Sequence, residues 1–170
     1  MNAAAQTLLS ELDAEAPATR RVLERVPGDR LDWQPHAKSM TLGQLAIHLA
    51  GIPGRLSQLA MLDGFDTAGA SFSPPQPEST EAIVRTFDES IATARTCLAA
   101  LDEARAREPW SMRRGERVLL TIPRIGVFRT LVMNHSYHHR GQLSVYLRLL
   151  DVPVPVIYGR SADENPFAGE

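Results

Sequence analysis

Apolar side chains recur every three or four positions in four long stretches of the chain, which is the spacing of one face of an α-helix. The third stretch begins at Ser79 or Thr80, and the fourth begins near Pro123, a residue favoured in the first turn of a helix. Thr41 is a suitable N-cap for the second stretch. The pattern therefore predicts four helices, at about residues 6–26, 41–62, 79–104 and 123–150.

Two of these predicted helices contain an internal proline. Pro17 is expected to bend or split the first helix, because proline lacks the backbone N–H that continues the helical ladder. Pro53 lies within the second helix and leaves the carbonyl of Leu49 without its usual donor. A kink in the second helix just past His48 is therefore predicted.

The segments between the predicted helices are rich in glycine and proline. Residues 27–40 and the tail from residue 151 are predicted to be loops. Residues 63–79 lack apolar periodicity and are predicted to form an irregular crossover, a candidate lid or entrance loop. Residues 108–122 fit either a brief pair of strands or an extended crossing of the helices, and both interpretations remain open.

Four helices without a repeated strand pattern predict an all-α fold, a four-helix bundle with long crossover loops. The chain has 170 residues, which suits a single domain spanning residues 1–170. No apolar run approaches the roughly 18 residues needed to span a bilayer, and the N-terminus has no secretory pattern. We therefore expect a cytoplasmic protein that has no membrane partner.

Charge and cysteine content exclude two further classes of function. The net charge is −2, and the five arginines between residues 105 and 117 are interleaved with or preceded by four acidic residues, Asp102, Glu103, Glu108 and Glu116. This mixture cancels any basic field, so nucleic acid is not an expected partner. Cys97 is the single cysteine, which excludes an internal disulfide framework.

Three histidines lie close together in the fourth predicted helix. At about 100° per residue, His135 and His139 fall about 20° to either side of the centre of the apolar face. His138 lies about 80° from that centre, at the margin of the face. Imidazoles four residues apart on one helix are close enough to share one metal ion. A hydrogen-bonded structural pair is the alternative.

The third ligand of such a site has to come from another helix. His48 lies at the edge of the apolar face of the second helix and is the natural candidate. A single histidine in such a position is more commonly a hydrogen-bonded core residue, so this alternative also stays open. His36 lies in a loop and is left out of the predicted site.

Other side chains are placed to support these histidines. Gln142 and Gln44 each lie one helical turn from a histidine, where they can orient a ligand ring or a substrate. His138 is expected at the rim of the site. Tyr146 is either a proton donor or a packing residue of the core.

The segment His-Ser-Tyr-His-His-Arg-Gly-Gln-Leu at residues 135–143, followed by Tyr-Leu-Arg-Leu-Leu at 146–150, resembles the DinB/YfiT-like family. The resemblance extends upstream to Leu-Asp-Trp-Gln-Pro-His at 31–36 and to Ser-Met-Thr-Leu-Gly-Gln-Leu at 39–45. Downstream it includes Val-Pro-Val-Pro at 152–155 and the tail to residue 164. It therefore covers nearly the whole chain.

The resemblance implies a four-helix bundle, commonly a homodimer, with a metal bound by one histidine of the second helix and two of the fourth. Carried over by position, these are His48, His135 and His139. Relatives with known activity include transferases and isomerases that depend on bacillithiol or mycothiol. The leading hypothesis is a metal-dependent enzyme that transfers a low-molecular-weight thiol to an electrophile.

Three neutral imidazoles with an open coordination position suit zinc or nickel. Such an ion would lower the pKa of a bound water or thiol, so a hydrolase is a related hypothesis. One alternative is a stress-related protein that binds a metal or small ligand without turnover. Another is a metal-free structural dimer.

Overall fold

The computed structural model describes residues 2–167, and most of these residues lie in helices. Three long helices come first, and a nearly continuous helical stretch with a π-helical insertion at residues 128–134 follows near the C-terminus. Three short strands lie between them. The elements are α1 (Ala3–Glu24), α2 (Leu42–Met61), β1 (Gly64–Asp66), α3 (Thr80–Ala99), α4 (Glu103–Arg107), β2 (Pro109–Arg114), β3 (Arg117–Pro123), α5 (Arg124–Val127) and α6 (His135–Leu149).

Helix α2 packs against both α3 and α6, and α1 packs against α3. The shared core is made of fully buried aliphatic and aromatic side chains from all of these helices, among them Leu23, Leu42, Leu49, Ile83, Leu98, Phe128 and Leu143. The two helices α2 and α3 lie close together at Gly54, where an added Cβ would lie 2.9 Å from the Cα atom of Ser90. Glycine at this position therefore allows the middle of α2 to pack tightly on α3.

Both ends of α2 are capped by side chains. At its N-terminus, the Thr41 hydroxyl accepts from the backbone N–H of Gln44, and the Gln44 side chain accepts from the Thr41 N–H. At its C-terminus, the buried guanidinium of Arg124 donates to the carbonyls of Ala60 and Leu62. These contacts satisfy groups that every helix end leaves unpaired. The position of Arg124 was not predicted from the sequence.

Neither internal proline divides its helix. Pro17 lies on the exposed side of α1, which continues past it from Ala3 to Glu24, so the predicted split does not occur. Pro53 lies within an unbroken α2. The N–H of Gly54, the next residue, donates to Oγ of Ser90 at 2.6 Å. A side chain of α3 therefore accepts a backbone hydrogen bond from α2 next to the proline.

The prediction of a purely α-helical fold is wrong, because the structure contains a small three-stranded sheet. Strands β2 and β3 form an antiparallel hairpin whose turn includes Gly115 at φ +59°, a conformation that favours glycine. β1 pairs in parallel with β2 and places Phe65 beside Met112. A strand of three residues carries too little alternation to be detected in the sequence.

The third predicted helix ends earlier than expected. α3 stops at Ala99, and a separate short helix, α4, begins at Glu103. Asp102 is the N-cap of α4, because its carboxylate accepts from the backbone N–H of Arg105 at 2.8 Å. This cap begins a new helix instead of continuing α3.

The last predicted helix contains a π-helical stretch, Phe128–Asn134, between α5 and α6. The hydroxyls of Thr130 and Ser136 at its two ends donate to carbonyls four residues earlier, where they compete with the regular backbone ladder. The wider π turn advances each residue by a smaller angle than an α turn does. A regular α-helical repeat would place Leu149 on the apolar face of this helix, but after the π-helical stretch its side chain is 58% exposed.

A buried arginine joins α6 to α1 and to the C-terminal tail. Arg140 lies 2.7 Å from a carboxylate oxygen of Glu15 and 3.0 Å from the hydroxyl of Thr19. It also donates to the hydroxyl of Tyr158, which in turn donates to Glu15. Helical periodicity places an arginine on the surface by default, so this burial could not be inferred from the pattern.

Within residues 2–167, the helices fall short of the combined length and apolar content that a bilayer crossing requires.

Candidate metal centre

Three histidines from two helices converge at the boundary between α2 and α6. His48 lies on α2, and His135 and His139 lie one turn apart on α6. One nitrogen from each ring lies within 4.8 Å of the other two. The Nε2 atoms of His135 and His139 are 2.8 Å apart, and those of His48 and His135 are 3.5 Å apart. The structure therefore brings together the three residues proposed from the sequence.

The local structure explains why these rings meet. His48 lies in the first half of α2, whose N-terminus is fixed by the Thr41 cap. His135 is the first residue after the π-helical stretch, so the wider turn sets the direction in which α6 presents its histidines. π-helical turns are frequently found at functional sites for this reason.

The hydrogen-bond partner of His139 assigns the proton on that ring. Nδ1 of His139 lies 2.7 Å from Oε1 of Gln142, which only accepts, so Nδ1 carries the proton and Nε2 carries a lone pair. This lone pair faces Nε2 of His135 at 2.8 Å. A cation between the two nitrogens would be coordinated by both when Nε2 of His135 also offers its lone pair.

The three imidazoles favour the neutral form that binds metals. Burial, followed by the charges of His139 and His135, lowers the pKa of His48 to about 4. Burial, followed by the charge of His139, lowers the pKa of His135 to about 4. Burial also lowers the pKa of His139, against the opposing hydrogen bond to Gln142. Neutral rings at neutral pH leave the lone pairs free for a cation.

The donor set and its spacing fit a divalent transition metal. Imidazole nitrogen binds zinc at about 2.0 to 2.1 Å, which places two ligands of a tetrahedral ion about 3.3 Å apart. The two Nε2 separations at His135, 2.8 and 3.5 Å, lie on either side of that value. Three nitrogens without a carboxylate suit zinc, nickel or copper better than magnesium or calcium.

A cavity of about 350 Å³ lies beside the cluster and is lined by His48 and His135. Its walls are mostly apolar and come from α2, the sheet, the π-helical stretch and the crossover loop. They include Leu56, Leu59, Phe65, Phe72, Met112 and Leu131. Residues 71–74 of the crossover contribute one wall, which is where an entrance loop was predicted. A ligand in this cavity would lie against two of the three imidazoles.

The other predicted site residues occupy different positions. Gln142 contacts His139, as described above. Gln44 uses its side-chain oxygen to cap α2 instead of contacting a histidine. Tyr146 packs edge-on against Trp33 and donates to the carbonyl of Met40 at 3.3 Å.

His138 is exposed, with its ring centre 4.9 Å from that of His139. His36 is exposed in its loop, where Nδ1 accepts from the backbone of Lys38. Neither residue belongs to the three-histidine cluster.

Arg55, which was not predicted as a site residue, lines the cavity and lies 3.4 Å from Nδ1 of His48. A signal was present in the sequence. Arg55 follows His48 by seven positions, so both residues project from the same side of α2 two turns apart.

Comparisons with known proteins agree with this fold. The chain is 24% identical over 160 residues to "Uncharacterized protein YrdA" of Bacillus subtilis, covering 92% of this chain and 89% of that protein. A DinB-like protein from Bacillus cereus superposes with a TM-score of 0.67 at 23% identity, covering 90% of this chain and 97% of the other. A putative DinB-family member from Exiguobacterium sibiricum gives 0.64 at 21% identity, with 92% and 97% covered.

The resemblance seen in the sequence is confirmed at the level of the family. The model of the DinB family matches residues 1–166, almost the full length of the chain. The chain belongs to the DinB family.

Proposed function

We propose that this protein is a metal-dependent enzyme that joins a low-molecular-weight thiol to an electrophile at the three-histidine cluster. The observation that carries the proposal is the convergence of the Nε2 atoms of His48, His135 and His139 beside a mostly apolar cavity. Three protein ligands with an adjacent space for a further ligand are typical of catalytic metal sites.

Zinc or nickel is the proposed ion, because both bind imidazole nitrogen well. When bound, such an ion lowers the pKa of a coordinated thiol or water, so that a nucleophile is available at neutral pH. Gln142 fixes the ring of His139 in the tautomer that offers Nε2, and this orientation is the contribution of the chain. The apolar walls of the cavity limit the access of water.

In the proposed reaction the sulfur of the thiol forms a bond to the electrophilic carbon, and the leaving group departs with the bonding electrons. The thiol proton is released to solvent. Among residues 2–167, no carboxylate lines the cavity, so none of these residues is placed there as a general base. A free thiol has a pKa of about 8.5, far below the value of about 15.7 for water, so a thiol loses its proton more readily without a base. This difference favours thiol transfer over hydrolysis.

The absence of a carboxylate from the cavity lining also supports the second candidate, a stress-related protein that binds a metal or small ligand without turnover. For either function we also propose a cytoplasmic location, a single domain and a four-helix bundle. We also retain the homodimer implied by the family. Val145 and Leu149 are exposed apolar residues one turn apart on α6, as a dimer surface would require.

The test measures metal content and turnover in the same preparations. The protein is purified without chelators, and metal is quantified by elemental analysis for wild type, His48→Ala and His139→Ala. Conjugation of cysteine, bacillithiol or mycothiol to 1-chloro-2,4-dinitrobenzene is then followed with zinc-loaded and nickel-loaded protein. His36→Ala is the matched control, because His36 is an exposed loop residue.

We expect about one metal per chain in wild type and His36→Ala, with a large loss in the two cluster variants. Thiol conjugation should follow metal content. Stoichiometric metal without turnover would support the binding protein and contradict the enzyme. Wild-type protein that binds neither ion when it is supplied would contradict the metal-dependent enzyme and the metal-binding form of the second candidate.

A further inference from the structure

Arg55 is a cation at the mouth of the histidine cluster without an acidic partner. Its guanidinium is exposed and makes a 3.4 Å contact with Nδ1 of His48. Among residues 2–167, no carboxylate oxygen lies within 4.0 Å of it, whereas most of the other arginines that line helix surfaces form ion pairs, as Arg20 does with Asp88. An arginine that faces a cavity without an internal partner is available to an anionic ligand.

Arg55 lines two cavities that differ in charge. Among the described residues, Arg55 is the one charged side chain, apart from the imidazoles, that lines the cavity beside His48 and His135, and Ser71 and Ser73 line it as well. The neighbouring cavity on the α3 side is lined by Arg55 and also by Glu89. An anion would be repelled by Glu89 in the second cavity, so the first is the one that suits a negative group.

The contact of Arg55 with His48 depends on which ring nitrogen of His48 carries the proton. A guanidinium only donates, so Nδ1 of His48 accepts in this contact and the ring proton is on Nε2. Coordination of a metal by Nε2 requires the other tautomer, with the proton on Nδ1. Arg55 and Nδ1 would then both be donors, and the guanidinium would need a new acceptor.

The rest of the cavity is apolar and small. Leu56, Leu59 and Phe65 face the same space as the guanidinium, and Phe72 and Met112 complete this wall. A volume of about 350 Å³ is near the lower end of the usual range for small-molecule sites. The space suits a compact hydrocarbon or aromatic body.

We propose that Arg55 binds the anionic end of the substrate and that the substrate class is a small amphipathic carboxylate or similar oxyanion with an apolar body. The anion lies at the His48 side of the cavity, and the apolar body lies against Phe65 and Phe72. This inference rests on the proposed function insofar as it takes this cavity as the substrate site. It adds the substrate class and a residue that determines specificity.

The experiment compares two probes of nearly equal shape, hexanoate and the neutral hexanamide, by calorimetry on zinc-treated protein. Wild type, Arg55→Gln and Arg55→Lys are measured with both probes. Arg85→Gln is the matched control, because Arg85 is an exposed arginine of α3 that lines neither cavity. Each sample is also analysed for zinc.

Arg55→Gln should weaken hexanoate binding roughly tenfold, the loss expected for one charge-assisted hydrogen bond. Hexanamide binding should change less than about twofold by the same reasoning, and Arg55→Lys should retain part of the preference for the anion. Unchanged hexanoate binding in Arg55→Gln would overturn the proposal. Equal weakening of both probes would also overturn it, because it would indicate damage to the cavity instead of lost charge recognition.

The zinc analysis separates this inference from the proposed function. Arg55→Gln is expected to retain at least as much zinc as wild type, because Arg55 does not contact Nε2 of His48, the atom that faces the cluster, and loss of its contact leaves Nδ1 free to carry the ring proton. Wild type without zinc would contradict the proposed metal centre. The comparison of hexanoate with hexanamide on the same samples would still decide whether Arg55 selects the anion.

Discussion

Nδ1 of His139 lies 2.7 Å from the side-chain oxygen of Gln142, the residue three positions later on α6. The contact fixes both the tautomer and the orientation of the ring, so that Nε2 faces Nε2 of His135 at 2.8 Å. Gln142 itself is exposed. Its contribution to a metal site can therefore be measured without disturbing the core.

Replacement of Gln142 by alanine should weaken metal binding about 10- to 100-fold, the usual effect of removing the partner that orients a ligand ring. Gln142→Glu preserves an acceptor and should retain most of the affinity. The measurement is competition for zinc with a chromogenic chelator. Gln6→Ala, at an exposed position on α1, serves as control. Equal zinc affinity in Gln142→Ala and Gln6→Ala would show that the contact has no such role.

Gly54→Ala should destabilise the protein by about 1 to 3 kcal/mol, because the new methyl group would lie 2.9 Å from the Cα atom of Ser90. Gly141→Ala on α6 has nothing within 4 Å and should be neutral or stabilising by up to about 1 kcal/mol. Urea unfolding followed by circular dichroism measures both. The close packing of α2 on α3 would be disproved if the two variants changed stability alike.

Arg140→Met should cost about 3 kcal/mol of unfolding free energy, since it leaves the carboxylate of Glu15 without its buried partner. Arg148→Met, on the same helix, removes an exposed arginine that pairs with Asp163 and should have a much smaller effect. Chemical denaturation of both variants at pH 7 gives the comparison. Similar losses in the two proteins would mean that the Arg140 pair contributes no more than a surface one.

The C-terminal tail should detach from α1 when the solution becomes acidic. The backbone N–H of Val156, and after it Arg21, hold the pKa of Glu164 below its ordinary value of 4.5. A lowered carboxyl pKa stabilises the folded tail above pH 4.5, and this contribution is lost as the pH falls through the lower value of the folded state.

Hydrogen exchange of the Val156 amide, which donates to Glu164 at 2.9 Å, is the direct measurement. Its protection should be maintained near pH 6 and decline as the pH falls below 4.5, through the lowered pKa of Glu164, after correction for the intrinsic exchange rate. In Glu164→Gln the protection should be weaker and should no longer depend on pH in this range. A pH dependence that persists in the variant would point to a different group.

The helices and the cluster were accessible from the sequence because their signals are local. The cap of Thr41, the apolar face of α2 and the four-residue spacing of His135 and His139 can each be recognised within one helix. The position of His48 at the edge of the apolar face of α2 made it the candidate for the third ligand, and the family resemblance implied the same residue. The separation of His138 from the pair also followed from helical geometry, although the angles assumed a regular α-helix throughout.

The features that were missed depend on contacts between distant parts of the chain or on irregular backbone. Pairing of β1 with β2 joins Phe65 to Met112, and no local pattern predicts it. Arg124 reaches the end of α2 from the start of α5, which requires knowledge of the packing. The π-helical stretch changes the register of all the residues that follow, which explains why Leu149 was assigned to the wrong face.

The central claim is that Nε2 of His48, His135 and His139 bind one metal ion. A crystal grown with zinc, with diffraction data collected on both sides of the zinc absorption edge, tests it most directly. The account predicts one anomalous peak per chain, about 2.0 to 2.1 Å from each of the three Nε2 atoms, next to the cavity lined by Phe65 and Phe72. Ordered rings with no peak between them, or a peak bound elsewhere on the chain, would contradict it.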